Sequence, residues 1–272
     1  MLKIFLESIM SVFSKRKKLI IGGCSYTANY APTQGYDEFP IWGKLLADKL
    51  NMELVNLGRC GFGNKAIHTT FIEKMIVEKN IGLVIAMWSE FQRISYYNWR
   101  GPGVSKNNPW ICFHPQRVLL FDHQRFDIKY DISKILNDNF FDNMEGGVVE
   151  ALSCMFAFQT FCENQNIPYL QLQGAYPLAG DLSQWRDHTK QKEICKYMID
   201  SPYMRVIDDK HFLGWPTSHY IGGWCWDYLL DSEDEDRVKY RIGGETGDTH
   251  PNGTAHELIT GIIYDGYKKV YS

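Results

Sequence analysis

The chain has 272 residues, enough to bury a substantial core in one large α/β domain with insertions. Its formal net charge is −3, and its lysines and arginines are mostly scattered, so the sequence predicts no binding of nucleic acid. No apolar run approaches the roughly 20 residues that a membrane-spanning helix requires. Composition therefore argues against a nucleic-acid-binding protein and against a membrane span.

The seven cysteines are an odd number without a Cys-x-x-Cys pair, and several lie within apolar segments. This pattern is typical of reduced thiols in a cytosol-like compartment. It predicts neither a disulfide framework nor a zinc site. We expect a cytoplasmic protein that needs no metal and no cofactor.

Residues 1–17 are predicted to form a separate N-terminal extension, with 18–272 as the main domain. Apolar side chains recur at helical spacing from Met1 to Phe13, and the basic run Ser14-Lys-Arg-Lys-Lys18 follows. An amphipathic, basic helix can lie on a membrane surface. In a signal peptide the charges come first, so the order here is reversed. We expect a short docking or frayed helix, with membrane contact as the less favoured alternative.

Apolar runs at regular intervals predict parallel strands joined by helices. Four runs have the length and composition of buried strands: residues 18–23, 52–56, 83–87 and 167–173. The first three belong to successive strand–loop–helix units, an order that requires crossover connections. The sequence therefore predicts an α/β fold.

The helices are predicted from turn signals and apolar stripes. Pro40 is expected to open the first helix, and Asn64 is expected to cap the second. Two further helices are predicted over 148–162 and near 184–199. Thr254-Ala-His-Glu257 has the pattern of a capping box for the C-terminal helix.

Two stretches without a regular period, 91–145 and 201–247, are predicted to be insertions. Aromatic side chains accumulate in both, and we expect the first to cover the edge of the sheet where ligands bind. The second contains the acidic run Asp231-Ser-Glu-Asp-Glu-Asp236. Because this run lacks EF-hand spacing, we expect a solvated loop rather than a calcium site.

Three candidate functional residues follow the ends of predicted strands. Two glycines after the first strand place Ser25 on a tight turn, and Gly61 and Ser89 follow the second and third strands. The carboxyl ends of parallel strands meet at one edge of an open sheet, where ligands bind. A glycine at position 61 also leaves its backbone N–H free to face a developing oxyanion. The three residues are therefore expected to share one site.

A histidine near the C-terminus is the candidate base for Ser25. A serine hydroxyl becomes a nucleophile only when a base within about 3 Å removes its proton. His250 is the best placed of the eight histidines, and Asp248 can bond its far ring nitrogen. In an extended strand these two side chains would point to opposite faces, so the pair requires a turn. Glu245 is the alternative acid, and a Ser–His dyad is a further alternative.

Each signal has a simpler explanation when it stands alone. A Gly-Gly-x-Ser segment can be an ordinary turn or a phosphate-binding loop, and an Asp-x-His pair before a helix is commonly a cap and a surface histidine. A glycine-rich turn is usually only a turn. Their occurrence together, in this order and at strand ends, favours a catalytic site.

The blocks resemble those of the SGNH (GDSL-like) hydrolase superfamily. Gly23-Cys-Ser25-Tyr-Thr27 resembles the first block, with cysteine where aspartate usually stands. Asn56-Leu-Gly-Arg-Cys-Gly61 is similar to the second block, and Asp248-Thr-His250-Pro-Asn252 to the last. The combination is similar to a divergent branch common in phage and other viral genomes, which would imply the host cytoplasm. The resemblance implies a three-layer α/β/α fold with a flavodoxin-like parallel sheet of about five strands.

The resemblance also implies roles for individual residues. Ser25 would be the nucleophile, His250 the base and Asp248 the acid, while the backbone N–H of Gly61 would donate to the oxyanion. The third block normally supplies an asparagine, but this chain has Trp88-Ser89-Glu90. Ser89, through its hydroxyl, or Asn64, from the next loop, is predicted to replace that donor.

An ester hydrolase is the first functional hypothesis. Its substrate would be a small-molecule or carbohydrate ester with a short acyl group such as acetate, because both insertions are rich in Trp and Tyr, which suit sugar faces. Two alternatives are a non-catalytic binding or virion structural protein and an acyltransferase that uses the same residues. The sequence makes no prediction of the oligomeric state.

Overall fold

The computed structural model describes residues 16–97, 109–115, 128–139, 144–177, 188–234, 238–243 and 247–272. Most of the predicted N-terminal extension, the alternative acid Glu245 and parts of both predicted insertions lie outside the described residues. Within the described ranges, no helix combines the length and the apolar character needed to cross a bilayer.

Strands and helices alternate along the chain. The strands are β1 (Lys18–Gly22), β2 (Glu53–Asn56), β3 (Ile81–Trp88), β4 (Ile94–Tyr97), β5 (Trp110–Phe113), β6 (Tyr169–Gln173) and β7 (Phe212–Leu213). The α-helices are α1 (Trp42–Lys49), α2 (Asn64–Val77), α3 (Ile128–Asp138), α4 (Met144–Asn164), α5 (His188–Asp200), α6 (Trp226–Glu233) and α7 (Gly253–Tyr271). Short 3₁₀ turns span Ala31–Gln34, Pro202–Arg205 and His219–Ile221.

A five-stranded sheet with the order β2-β1-β3-β6-β7 forms the centre of the fold. Every neighbouring pair in it is parallel. Counted among themselves, these strands have the order 2-1-3-4-5, which is the flavodoxin-like arrangement. The switch in direction falls between β1 and β3, so the predicted ligand-binding edge lies at the carboxyl ends of these strands.

Helices cover both faces of the sheet. On one face α2, α4 and α5 pack against strand side chains that include Ile20 and Trp88. On the other face α1, α6 and α7 pack against side chains that include Ile21 and Met87. Successive side chains of a strand point to opposite faces, so Ile20 and Ile21 fill different layers. The fold has three layers, α/β/α, which confirms the predicted fold class and the predicted parallel sheet.

The two stretches without a regular period contain short regular elements. In the first, β4 and β5 pair as an antiparallel hairpin, and α3 follows. In the second, β7 completes the central sheet and α6 packs beneath it. A two-residue strand such as β7 is too short to produce an alternating pattern, so the fifth strand could not be located from the sequence.

Two predicted helix caps are wrong. Gly63 is the N-cap of α2, and Asn64 is the first helical residue, without a capping bond. At α7 the N-cap is Asn252, whose side chain accepts a hydrogen bond from the Ala255 N–H at 3.1 Å. Thr254 lies inside the helix and is exposed, so the predicted capping box does not form.

The turn after β1 needs glycine at position 23 because of a close approach. A Cβ added there would lie 2.4 Å from Thr27 Oγ1 and 2.7 Å from the Met87 carbonyl oxygen. The second contact is with backbone in the centre of the sheet, which cannot move aside cheaply. Gly23 therefore allows the chain to leave β1 closely packed against β3.

We predict that Gly23→Ala destabilises the protein by about 1–3 kcal/mol through overpacking. The matched control is Gly261→Ala in α7, where an added Cβ meets nothing within 4 Å. This control should stabilise the protein by roughly 0.5–1 kcal/mol, since alanine has the higher helix propensity. Urea unfolding of the two variants and the natural protein measures both differences. If Gly23→Ala destabilises the protein by less than Gly261→Ala stabilises it, the clash assigned to Gly23 is wrong.

Candidate active site

Ser25 lies on a tight turn directly after β1. The N–H groups of Thr27 and Ala28 both donate to the Cys24 carbonyl oxygen, at 3.0 and 3.1 Å, and close the turn. Ser25 is partly exposed, whereas Cys24 and Tyr26 on either side are buried. The turn therefore presents one hydroxyl at the carboxyl edge of the sheet.

The loop before α7 brings His250 to this hydroxyl. The Oγ of Ser25 lies 2.8 Å from Nε2 of His250, although the two residues are 225 positions apart in the sequence. On the other side of the ring, Nδ1 lies 2.7 Å from Oδ1 of Asp248. The structure thus brings the three predicted residues together in one hydrogen-bonded chain.

A turn at Asp248 accounts for its unusual spacing from His250. The backbone N–H of His250 donates to Oδ1 of Asp248 at 2.9 Å, which closes an Asx turn. The same oxygen contacts the imidazole, so the turn places both side chains on one side of the loop. The structure therefore has the turn that the one-residue separation requires.

The surroundings set the protonation of the pair. Burial lowers the pKa of His250 and outweighs the opposing charge of Asp248. Burial would raise the pKa of Asp248, but hydrogen bonds from His250 and Tyr30 outweigh it and lower that pKa. At neutral pH the imidazole is therefore uncharged and Asp248 is ionised. With a proton on Nδ1 directed at Asp248, Nε2 is free to accept from Ser25.

A short antiparallel contact holds the loop that carries His250. Ile242 and Gly243 donate their N–H groups to the carbonyl oxygens of His250 and Asp248, at 2.9 and 3.1 Å. Arg241 pairs with Pro251 in an antiparallel bridge. These bonds fix the backbone of the loop on both sides of the imidazole.

The buried guanidinium of Arg241 also holds this loop. The Arg241 side chain is 1% exposed. It donates to the Thr249 carbonyl oxygen at 2.9 Å, and it forms ion pairs with Asp227 at 2.7 Å and Asp231 at 2.5 Å. Tyr26 adds a hydrogen bond to Asp227 at 2.8 Å. The sequence analysis did not find Arg241, since its partners are distant in sequence and follow no motif.

The acidic run beginning at Asp231 is only partly the predicted solvated loop. Asp231 and Glu233 belong to α6, and the Asp231 side chain is 11% exposed. Asp231 accepts from Tyr176 at 3.0 Å as well as from Arg241. Its negative charge pairs with the buried Arg241 guanidinium, so Asp231 contacts the protein interior and does not belong to a solvated loop.

Tyr30 is a second contact of the site that the sequence analysis missed. Its ring stacks on the His250 imidazole with centroids 3.7 Å apart and planes 20° apart. Its hydroxyl donates to Oδ2 of Asp248 at 3.0 Å. No sequence pattern links Tyr30 to Asp248 or His250, so the contact could be found only from the folded structure.

The backbone N–H groups of Ser25 and Gly61, in the loops after β1 and β2, are the candidate oxyanion donors. Gly61 has φ of +80°, and a Cβ added there would meet nothing within 4 Å, so its surroundings are open. Among the described residues, the N–H groups of Ser25 and Gly61 donate to no acceptor. Asn56 ties the two loops together: its side chain donates to the Thr27 carbonyl oxygen and accepts from the Gly58 N–H, both at 2.8 Å.

The two predicted side-chain donors are engaged elsewhere. The Ser89 hydroxyl donates to Oε2 of Glu90 at 2.5 Å. The Asn64 amide donates to the Ser89 and Glu90 carbonyl oxygens at 3.2 and 3.4 Å, and its oxygen accepts from the Ser89 N–H at 2.8 Å. Both side chains are buried. A role of either as an oxyanion donor stays a prediction and would require a change of partner.

Cys24 and Glu90 are buried near the turn that carries Ser25. Cys24 is 2% exposed, and burial raises the pKa of its thiol, which therefore stays protonated. Glu90 forms a buried ion pair with Arg93 at 2.8 Å. Burial would raise the pKa of Glu90, but Arg93 and Ser89 lower it, so the carboxyl group is ionised. Neither Cys24 nor Glu90 contacts Ser25 as a base.

The described ranges contain no group of three or more His, Cys, Asp or Glu side chains that could hold a metal ion. The seven cysteines are free thiols.

No family model matches the sequence, and no curated protein matches it. The chain is similar to the crystal structure of the acetyl xylan esterase AlAXEase, with 14% identity, 91% of this chain and 98% of that chain covered, and a TM-score of 0.47. It is also similar to the psychrotrophic esterase EstA from Pseudoalteromonas sp., with 12% identity, 93% of this chain and 97% of that chain covered, and a TM-score of 0.47. A third similar structure is a member of the lipolytic protein G-D-S-L family from Veillonella parvula, with 11% identity, 94% of this chain and 98% of that chain covered, and a TM-score of 0.43. These structural neighbours are esterases and a GDSL-family protein.

Because these identities are at most 14% and the TM-scores lie below 0.5, the similarity carries no information about activity or substrate. The chemistry of the site follows from its own residues.

We predict that Arg241→Met lowers the free energy of unfolding by about 3–5 kcal/mol, because it leaves two buried carboxylates without a counter-charge. The companion variant, Asp227→Asn with Asp231→Asn and Arg241→Met, removes these charges as well and should recover much of the loss. Urea unfolding of both variants measures the difference. Equal stability of the single variant and the natural protein would show that Arg241 does not balance these charges.

Proposed function

We propose that the protein is a serine ester hydrolase that works through an acyl-enzyme. The observation that carries the proposal is the continuous chain from Ser25 Oγ to His250 Nε2, at 2.8 Å, and from His250 Nδ1 to Asp248 Oδ1, at 2.7 Å. Nucleophile, base and orienting acid within hydrogen-bond distance form the arrangement that activates a serine for acyl transfer.

In the first half of the proposed reaction, Ser25 Oγ attacks the ester carbonyl while His250 Nε2 takes its proton. The negative charge that develops on the carbonyl oxygen is stabilised by the N–H groups of Ser25 and Gly61. Asp248 stabilises the imidazolium that has formed. His250 then gives its proton to the leaving alcohol, and the acyl group remains on Ser25.

In the second half, a water molecule attacks the acyl-enzyme as His250 takes one of its protons. The second tetrahedral intermediate collapses, the carboxylic acid leaves, and the proton returns to Ser25 from His250. Transfer of the acyl group to a sugar or another alcohol would use the same groups, with that alcohol in place of water. Product analysis with and without an acceptor alcohol distinguishes hydrolysis from transfer.

We propose a short acyl group, such as acetate on carbohydrate, as the substrate. Support comes from the hairpin of β4 and β5, which begins beside the candidate oxyanion loop: Arg93 donates to the Phe62 carbonyl oxygen at 3.2 Å. The hairpin exposes Tyr96 by 41% and Tyr97 by 56%. Exposed tyrosine rings near a site offer flat apolar faces that suit sugar rings.

The test that needs no knowledge of the substrate is labelling with a fluorophosphonate at neutral pH, followed by intact-mass measurement. Ser25 Oγ would displace fluoride from phosphorus, so we expect one adduct. Ser25→Ala and His250→Ala should abolish it. Ser232→Ala is the matched control, because Ser232 is exposed on α6, donates to the Leu229 carbonyl oxygen and should not affect labelling.

If the folded natural protein takes up no label, the non-catalytic alternative, a binding or virion structural protein, is favoured instead. An adduct that survives in Ser25→Ala would place the nucleophile elsewhere. Circular dichroism of each variant confirms that a missing adduct does not result from unfolding.

The pH dependence of labelling follows from the state of His250. Only the uncharged imidazole can take the proton of Ser25, and burial lowers the pKa of His250 below 6.5. The rate should therefore rise as pH increases, with a midpoint below 6.5, and level off at neutral pH. Second-order rate constants across this range measure the midpoint. A midpoint above 7 would show that the Asp248 charge, rather than burial, dominates.

A further inference from the structure

The face of the His250 imidazole is covered by Tyr30. The two rings stack 3.7 Å apart, and the Tyr30 hydroxyl reaches past the imidazole to Oδ2 of Asp248 at 3.0 Å. The other carboxylate oxygen, Oδ1, already accepts from the backbone and from the ring of His250. One tyrosine therefore contacts both the base and the acid of the candidate site.

The contacts of His250 leave the ring little freedom. Tyr26 packs edge-on against it, with centroids 5.5 Å apart and planes 73° apart. Ser25 and Asp248 bond its two nitrogens. Without the stacked ring of Tyr30, the imidazole could rotate about its Cβ–Cγ bond and break both bonds. The stacked ring of Tyr30 opposes that rotation.

Tyr30 is itself held firmly by its backbone. Its N–H donates to the Ala28 carbonyl oxygen at 2.9 Å. Its carbonyl oxygen accepts from the N–H of Thr33 at 2.9 Å and from the Thr33 hydroxyl at 2.6 Å. The 3₁₀ turn Ala31–Gln34 begins at the next residue. Nucleophile and stacking ring thus belong to one short, internally bonded segment.

We propose that Tyr30 is a positioning residue: its ring fixes the plane of the His250 imidazole, and its hydroxyl fixes the second oxygen of Asp248. This inference rests on the proposed function, because it deepens the account of the same site. It assigns to Tyr30 an orienting role that the three candidate catalytic residues do not supply.

The two halves of the Tyr30 side chain act differently on His250. The hydroxyl bond draws negative charge away from the side of Asp248 that faces the imidazole. The ring excludes water from one face and, once the imidazole is protonated, offers its π-electrons to the cation. Other charged groups near His250 include Asp227 of α6 and Glu90 after β3, which both favour its protonated form, and the Arg241 guanidinium, which pairs with Asp227 and bonds the Thr249 carbonyl oxygen.

Two substitutions separate these contributions. Tyr30→Phe keeps the ring and removes the hydroxyl, so Asp248 acts more fully on His250. We expect an acidic midpoint shifted to higher pH and a neutral plateau rate that falls less than in Tyr30→Leu, because the stacked ring remains. Tyr30→Leu removes the ring, and we expect the plateau rate to fall about tenfold to a hundredfold, the range that follows from a small misplacement of a catalytic group.

The matched control is Tyr36→Leu, a tyrosine of the same loop that is 40% exposed. It should label at the natural rate with an unchanged midpoint. Urea unfolding of all variants separates positioning from folding: a purely structural Tyr30 would change stability without moving the pH midpoint. If neither Tyr30 variant changes the plateau rate or the midpoint relative to Tyr36→Leu, the proposal is overturned.

A second measurement keeps the proposal testable without reactivity. NMR titration of ¹⁵N-labelled histidine reports the pKa and the tautomer of His250 directly. We expect Tyr30→Phe to raise that pKa, and Tyr30→Leu to mix the tautomers as the ring becomes mobile. If these shifts occur in a protein that takes up no fluorophosphonate, the proposed function fails while the role of Tyr30 stands. Unchanged spectra in both variants would refute the role of Tyr30 itself.

Discussion

The buried guanidinium of Arg241 is the contact that connects the two ends of the chain at the candidate site. It holds the Thr249 carbonyl oxygen, between Asp248 and His250, and it bonds Asp227, which also accepts from Tyr26 beside Ser25. A single cation thus connects the turn after β1 to the loop before α7. Because breaking a buried ion pair leaves uncompensated charge, this connection resists local opening. The 2.8 Å contact between Ser25 Oγ and His250 Nε2 lies between the two segments that Arg241 connects.

The parallel sheet supplies the rest of the geometry. Ser25, Gly61 and Ser89 follow β1, β2 and β3, and the sheet order places these strand ends side by side. The loops are bonded to one another: Asn56 bonds the turn of Ser25, and Asn64 bonds the backbone of Ser89. Under the proposed mechanism, these bonds would hold the backbone donors in place before a substrate binds, as electrostatic stabilisation of a transition state requires.

The sequence predicted the parts of the site that depend on local signals, and it missed those that depend on tertiary contacts. Ser25 follows an apolar run and two glycines, and Asp248 and His250 precede a helix, so each has a recognisable local context. Tyr30 and Arg241 have none, because their contacts with the His250 loop are made in the folded chain alone. Asn64 looks like a cap in the sequence, but its side chain bonds Ser89. At α7 the extended backbone of Asn252, with φ of −89° and ψ of −177°, makes that residue the cap instead of Thr254.

Ser89 stands in the segment where the third block normally supplies an asparagine donor, but its hydroxyl is already bonded to Glu90. In this structure the Asn64 side chain bonds the backbone of Ser89, and the Ser89 hydroxyl bonds Glu90, so the proposed mechanism relies on the backbone donors of Ser25 and Gly61. One side-chain donor to an oxyanion is worth roughly 2.7–4 kcal/mol of transition-state stabilisation. If the site uses backbone donors alone, as proposed, orientation of the base is another source of that energy, and His250 is both stacked and bonded at its two ring nitrogens. Under the proposed mechanism, the orientation of His250 by Tyr30 would offset part of the energy that a missing side-chain donor does not supply.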